Sequence, residues 1–284
     1  MMRNDFAVFI LSHGRANHVI TLNTLARGHY TGKIYIIVDD EDEQIAEYRK
    51  IKGVEIIVFN KQEEMKRTDT IDNFQKHKAV VYARNRCHDI AKQLGLNYFL
   101  VLDDDYGSFR YRKAVGEKLT SIEVRYFDKL FEACIEFLEK TNALSVAFAQ
   151  TGDYIGGVFS NIVKQQLTRK VMNSFFCKTD RPFKFLGSIN EDVNAYTLLG
   201  QQGELFFTIA EVGLNQTATQ QNAGGLTDIY LDLGTYIKSF YTVICCPSCA
   251  RVTSMGVTHR RIHHKIKWNN CTPKILDEKY KKTV

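Results

Sequence analysis

Several things are scarce or missing in this chain, and each absence excludes something. Of 284 residues only 3 are proline, and no stretch is rich in serine and glycine, so a flexible linker is not expected. No apolar run approaches the ~20 residues that cross a bilayer. The opening MMRNDFAVFILSHGRA carries one arginine, a short apolar run from Phe6 to Leu11 and no small-residue cleavage site. It reads as a first strand rather than a secretory signal, which gives a cytoplasmic location as the expectation. The 7 cysteines are odd in number, and Cys87, Cys134 and Cys177 stand singly among apolar residues. That is how small buried groups look in a reducing compartment. Neither Gly-x-x-x-x-Gly-Lys nor Gly-x-Gly-x-x-Gly occurs, so P-loop and dinucleotide-binding readings fail.

What is present is organised around NYFLVLDDDYGSFRYR, residues 97–112. Tyr98 to Leu102 is apolar and strand-favouring, as in a sheet covered on both faces. It ends in Asp103, Asp104 and Asp105. Ligands of such sheets sit beyond the carboxyl ends of the strands. Three acids there repel one another unless a cation joins them, and hard oxygen ligands suit Mg²⁺ or Mn²⁺. A solvated acidic turn is the plainer alternative.

The rest of the pattern alternates strand and helix. Strands are expected at Phe6 to Leu11, Lys33 to Val38, Val54 to Phe59 and Ala143 to Gln150, with an exposed strand over Ser108 to Lys113. Helices are expected over 17–26, 42–51, 76–94, 122–140, 193–199 and 228–244, the fifth capped by Asn190. Asn60 to Phe74 reads as a surface loop. Ile155 to Ser160 and Gln166 to Phe176 read as later antiparallel strands, and Glu204 to Ile209 as one more. Asn215 to Thr227 is polar with paired glycines and reads as a mobile stretch; around Gln220 to Gly225 it could order over a ligand, an ordinary surface loop being the plainer alternative. The whole indicates one α/β domain with a mixed, mostly parallel sheet. The +6 net charge gathers at the end: Arg260 to Val284 holds 8 Lys/Arg against Asp277 and Glu278. Such a tail suits an anionic partner.

Two acid clusters stand at strand ends, Asp39 to Asp42 and Asp103 to Asp105, with Arg15 after the first strand and Arg84 on the helix before the central one. One sheet edge thus collects arginines and metal-binding carboxylates, a set that suits a nucleotide diphosphate. The ordered elements Ser-x-x-Arg-Ala, Val-Asp-Asp, Ala-Arg-Asn, Tyr-Phe-Leu-Val-Leu-Asp-Asp-Asp and the later Asn190-Glu191-Asp192 resemble a GT-A glycosyltransferase. Among these the chain most resembles the phage-type TET-associated glycosyltransferases, thought to glycosylate hydroxymethylated pyrimidines in DNA. The resemblance spans about residues 5 to 270.

The resemblance implies a GT-A-like α/β/α sandwich over 1–270, followed by a basic tail over 271–284. It implies a UDP-sugar donor, Mn²⁺ or Mg²⁺, and DNA as acceptor. Asp39 would lie near the uracil or ribose, and Arg84 near the diphosphate or sugar. Asp103 would contact ribose or sugar and share the metal with Asp105. Ser12, Arg15 and Asp104 would join the donor-binding set, with loop or cap roles the alternative for Ser12 and Arg15. Asp192, or Glu191 beside it, would be the general base of an inverting enzyme. A C-terminal histidine, from His259, His263 and His264, would complete the metal site. Read from their residue types, Phe109, Tyr111, Arg110 and Arg112 could supply stacking and phosphate contacts to DNA, and are equally explained as an ordinary half-buried strand.

The same residues admit rival readings. The hydroxyl acceptor could belong to protein, lipid or polysaccharide. A nucleotidyltransferase also pairs a parallel sheet with metal carboxylates. A non-catalytic nucleic-acid-binding protein could be built on a zinc site of Cys246, Cys249, His259 and His263. The oligomeric state is not legible.

Overall fold

The computed structural model describes residues 1–72, 79–216, 234, 236–255 and 260–274. Its frame is a ten-stranded sheet in the order β3-β2-β1-β4-β9-β7-β10-β5-β6, with β8 paired to β10. The strands are β1 (Phe6–Leu11), β2 (Lys33–Asp39), β3 (Glu55–Phe59), β4 (Tyr98–Asp103), β5 (Tyr106–Val115), β6 (Lys118–Glu123), β7 (Ser145–Gln150), β8 (Leu167–Thr168), β9 (Ser174–Lys178) and β10 (Phe206–Gln216). β1, β2, β3 and β4 are mutually parallel, and β7 runs parallel to β10. β9 is antiparallel to both β4 and β7, and joins the two parallel sets into one mixed sheet. A separate hairpin, β11 (Ala250–Met255) and β12 (Arg261–Ile266), follows.

The helices are α1 (Ile20–Arg27), α2 (Ile45–Tyr48), α3 (Lys61–Arg67), α4 (Val81–Gln93), α5 (Phe127–Thr141), α6 (Asn161–Gln165), α7 (Glu191–Gln201) and α8 (Ile237–Cys245). The period-2 alternation of the strands divides the core in two. Phe6, Val8, Ile10, Leu100 and Leu102 face Leu25 of α1 and Phe127, Leu130 and Phe131 of α5. Ala7, Phe9, Leu11, Phe99 and Val101 face Val81, Cys87 and Ile90 of α4 and Val193 of α7. This is the α/β/α sandwich expected from strands apolar on both faces. Cys87, Cys134 and Cys177 are buried, as read from their apolar neighbours.

Several expected elements differ. The loop set at Asn60 to Phe74 contains α3: the Asn60 side chain accepts a hydrogen bond from the Glu63 N–H at 2.8 Å, capping a run of good helix formers. The helix set at 122–140 starts only at Phe127, because Lys118–Glu123 pairs with β5 as a hairpin. Ile155 to Ser160 is not a strand. Gly156 and Gly157 turn the chain at positive φ into a 3₁₀ turn over Gly157–Phe159. Within Gln166 to Phe176 only the two-residue β8 and the start of β9 are extended. Phe109 is core, packed edge-to-face on Phe127 and Phe148, and Arg110 is bonded to Ser121 at 2.5 Å. Both fit the ordinary half-buried strand rather than the stacking and phosphate-binding one.

Some expectations lie outside the described residues. These are the stretch proposed to close over a ligand from Thr217 on, the start of the helix set at 228–244, His259, and residues 275–284 of the basic tail. Cys271, set at the start of that tail, is buried beside Cys246 and Cys249. No helix among the described residues is long and apolar enough to cross a membrane.

Candidate active site

The carboxyl ends of β1, β2 and β4 open into one cleft of about 1340 Å³. That exceeds the ~300–1,000 Å³ typical of small-molecule pockets and leaves room for two substrates. Parallel pairing sets the ends level: Leu11 lies opposite Asp103 in the β1–β4 register and Ile37 in the β1–β2 register. Ser12, His13, Arg15, Asp39, Arg84, Asp103, Asp104, Asp105, Glu191, Asp192 and His263 all line this cleft. Every described residue proposed from the sequence for donor, metal or base is therefore brought together. Asp105 and Asp192, 87 positions apart in the chain, share it.

Their surroundings differ. Asp104 is buried, accepts from Ser12 Oγ at 2.5 Å and pairs with Arg15 at 2.9 Å. Ser12 also meets the Tyr48 hydroxyl at 2.7 Å, and that hydroxyl accepts the Arg15 N–H at 2.9 Å. The loop after β1 is thus braced on Asp104. Burial, against the pull of Ser12 and Arg15, raises the Asp104 carboxyl. Asp105 is pushed up to about 7, first by burial and then by Asp103 and Asp104.

A second group surrounds Asp39. His13 Nδ1 lies 2.7 Å from one carboxylate oxygen and the buried Lys61 Nζ 3.2 Å from the other. Burial would raise Asp39, yet His13 and Lys61 hold it below the ordinary carboxylate range. Asp42 accepts the Gly14 N–H at 2.8 Å and shapes the same loop. Lys61 and His13 were not among the sequence candidates. Lys61 falls two residues after β3, at the same sheet edge, and that position was the available signal.

The third group is centred on Arg84. Its guanidinium, stacked at 4.9 Å on the Phe175 ring, donates to Glu191 and reaches Asp103 at 3.3 Å. Tyr106 donates to Asp103 at 3.0 Å. Burial opposes the Arg84 charge, but Glu191, Asp103 and Asp192 hold it above its ordinary value. Burial pushes Glu191 up to about 7 against Arg84, and raises Asp192 likewise. Three carboxylates around one guanidinium leave negative charge uncompensated.

Asp192 enters the cleft at the start of α7. Asn190 sits at φ 53° and does not cap the helix as expected; its side chain donates to the Lys238 carbonyl at 2.6 Å, tying α7 to α8. Just upstream, Gly187 at φ 90° lets Tyr241 approach, where a Cβ would meet its ring at 2.8 Å. Tyr241 in turn accepts the Ser188 N–H at 3.0 Å. α8 and β12 form the far side of the cleft with Lys238, His263 and His264. His263 Nδ1 meets the His264 carbonyl at 2.7 Å. The buried Nδ1 of His264 has no hydrogen-bond partner among the described residues.

Among the described residues, no three His, Cys, Asp or Glu side chains are grouped to hold a metal alone. That bears on both sites expected from the sequence. Cys246 and Cys249 pack with Cys271 against Leu198 and Trp268 in an apolar cluster, while His263 stands on the cleft side. For Mg²⁺ or Mn²⁺ the requirement is smaller, since these ions bind through one or two carboxylates plus substrate phosphates. Asp103 and Asp105 meet it.

No curated protein matches the chain. Among solved structures it is similar to glucosyl-3-phosphoglycerate synthase from Mycobacterium tuberculosis in complex with Mn²⁺, UDP and phosphoglyceric acid. That likeness has TM-score 0.45 at 9% identity and covers 92% of this chain and 86% of that one. It is also similar to GalNAc-T7 with UDP, GalNAc and Mn²⁺, with TM-score 0.44 at 13% identity over 74% of this chain and 43% of that one. A family model described as TET-Associated Glycosyltransferase matches residues 6–225. The chain belongs to the TET-associated glycosyltransferase family, and it is a glycosyltransferase.

Proposed function

We propose that the protein transfers a sugar from a UDP-sugar to the hydroxyl of a hydroxymethylated pyrimidine in DNA. The observation that carries this is the meeting of Asp39, Asp103, Asp105 and Asp192 in one cleft. Asp39, fixed by His13 and Lys61, is an acceptor for a uracil N–H or a ribose hydroxyl. Asp103 and Asp105 would hold Mn²⁺ or Mg²⁺, which when bound stabilises negative charge on a diphosphate leaving group. Of the C-terminal histidines, His263 and His264 both line the cleft as candidates to complete the metal site, and the buried Nδ1 of His264 has no hydrogen-bond partner among the described residues.

Asp192 is the base. Glu191 is engaged by Arg84, whereas the Asp192 carboxylate accepts the Val193 N–H at 2.7 Å. Burial raises Asp192, which brings it closer to the basicity a base needs at neutral pH. The acceptor oxygen bonds to the anomeric carbon, the bond from that carbon to the diphosphate breaks, and the acceptor proton passes to Asp192. Ser12, Arg15 and Asp104 hold the loop that borders the donor. Arg84 and Glu191 position Asp103 and Asp192.

The test is a transfer assay with radiolabelled UDP-sugars on DNA with and without 5-hydroxymethyl pyrimidines. Label should enter only the hydroxymethylated DNA, and only with Mn²⁺ or Mg²⁺. Label entering protein or lipid but not DNA would give the acceptor to the rival reading.

A further inference from the structure

From Leu233 to Leu276 the sequence contains no acidic residue. The fold turns this one-sided composition into a surface. In the β11–β12 ribbon, Arg251 lies opposite Lys265, Thr253 opposite His263 and Met255 opposite Arg261. Strand alternation puts these residues on one face. The ribbon packs against α8, where Ser239 Oγ donates to the Ile262 carbonyl at 3.0 Å. Arg251, Arg261 and Lys265 are exposed, and none pairs with a carboxylate among the described residues.

The ribbon borders the cleft: Arg261, His263 and Lys265 line it together with Asp105 and Asp192. Arg261 and Lys265 are four residues apart on one strand, about 13 Å at ~3.3 Å per residue. A single diphosphate does not span that length, so the row fits a chain of phosphates rather than the donor.

We propose that this face of the β11–β12 ribbon docks the phosphate backbone of the acceptor nucleic acid along Arg251, Lys265 and Arg261, and so presents a nucleotide to Asp192. The proposal rests on the DNA-acceptor reading. Backbone contacts of this kind set register and affinity and leave base choice to the cleft.

Salt dependence tests it. Fluorescence anisotropy of labelled oligonucleotides carrying 5-hydroxymethylcytosine, single-stranded and duplex, is followed between about 50 and 200 mM salt. Each phosphate contact contributes about 0.7 to the slope of log K against log salt for single strands and 0.9 for duplex. The variant Arg251→Gln/Arg261→Gln/Lys265→Gln should lose about 2 to 3 units of slope. Arg251→Gln alone, at an exposed site, should lose about 0.7 to 0.9, and this serves if the triple variant does not fold. The charge-preserving Arg251→Lys/Lys265→Arg should keep the wild-type slope. A wild-type slope in both Gln variants overturns the ribbon proposal and leaves the DNA acceptor standing. If the wild-type protein binds neither DNA form, the acceptor reading fails and takes the ribbon with it. Ribbon-dependent binding to phosphatidylglycerol vesicles in that case would assign the face to a membrane and overturn the nucleic-acid proposal.

Discussion

Arg84 and Glu191, 107 residues apart in sequence, form a buried ion pair at the cleft, and the same guanidinium reaches Asp103. One side chain on α4 thereby fixes both the end of the central strand and the start of α7. Removing it leaves the buried Glu191 carboxylate and the partly exposed Asp103 without their counter-charge. Arg84→Ala should cost about 3–5 kcal/mol in urea unfolding. Arg84→Lys should recover little, because an ammonium cannot bridge two carboxylates as the planar fork does. A loss below about 1 kcal/mol, the range of an exposed pair, would show that the pair is not buried in solution.

Asp192 and Glu191 should separate by kinetics. If Asp192 takes the acceptor proton, Asp192→Asn lowers kcat by about 10²- to 10⁴-fold, with the Kd for the donor little changed. Glu191→Gln acts through Arg84, so it should lower stability as well as rate. Equal kcat loss in both variants with stability untouched would contradict the division of roles.

Donor recognition is expected to depend on Asp39. Trp268, the chain's single tryptophan, lines the cleft and is an intrinsic reporter of its occupancy. Asp39→Ala removes a charged hydrogen-bond acceptor, which should weaken UDP by about 1.5–3 kcal/mol in a fluorescence titration. Lys61→Met should weaken UDP in the same direction, since Asp39 loses the cation that holds it. Unchanged UDP affinity in Asp39→Ala would place the nucleobase elsewhere.

Away from the cleft, His88 gives a pH prediction. Its ring is buried edge-on against Phe99 and Phe183, both nitrogens lack partners among the described residues, and burial lowers its pKa to about 4. The unfolded chain binds this proton below about 6.5, while the folded chain resists it down to about 4. Stability should therefore be full above about pH 6.5 and fall as the pH drops toward 4, by up to about 3 kcal/mol. His88→Phe should flatten that part of the pH–stability curve, as urea midpoints taken from pH 7 to 4 would show. A His88→Phe curve parallel to wild type would mean that His88 titrates normally.

The parallel half of the sheet was legible because its strands are apolar throughout and end in charge. Asp39, Asp103 and Asp105 could be placed at one edge from strand direction alone. The hairpin β5–β6 was less legible: Lys118–Glu123 forms a strand because Tyr111 to Val115 lies beside it, a contact the local pattern does not carry. α3 was missed although Asn60 and Glu63 signal a helix start, because the polar run around them resembles a loop. The bracing of Asp104 by Ser12 and Arg15 depends on contacts across about 90 residues, which no local pattern carries.

The central claim is that Asp103 and Asp105 hold a divalent ion that completes the donor site. Its most direct test is calorimetry of UDP against wild type and Asp105→Asn, with and without Mn²⁺. The account predicts UDP binding that requires Mn²⁺ in the wild type and is lost in Asp105→Asn. Equal UDP affinity in both proteins, independent of Mn²⁺, would contradict it.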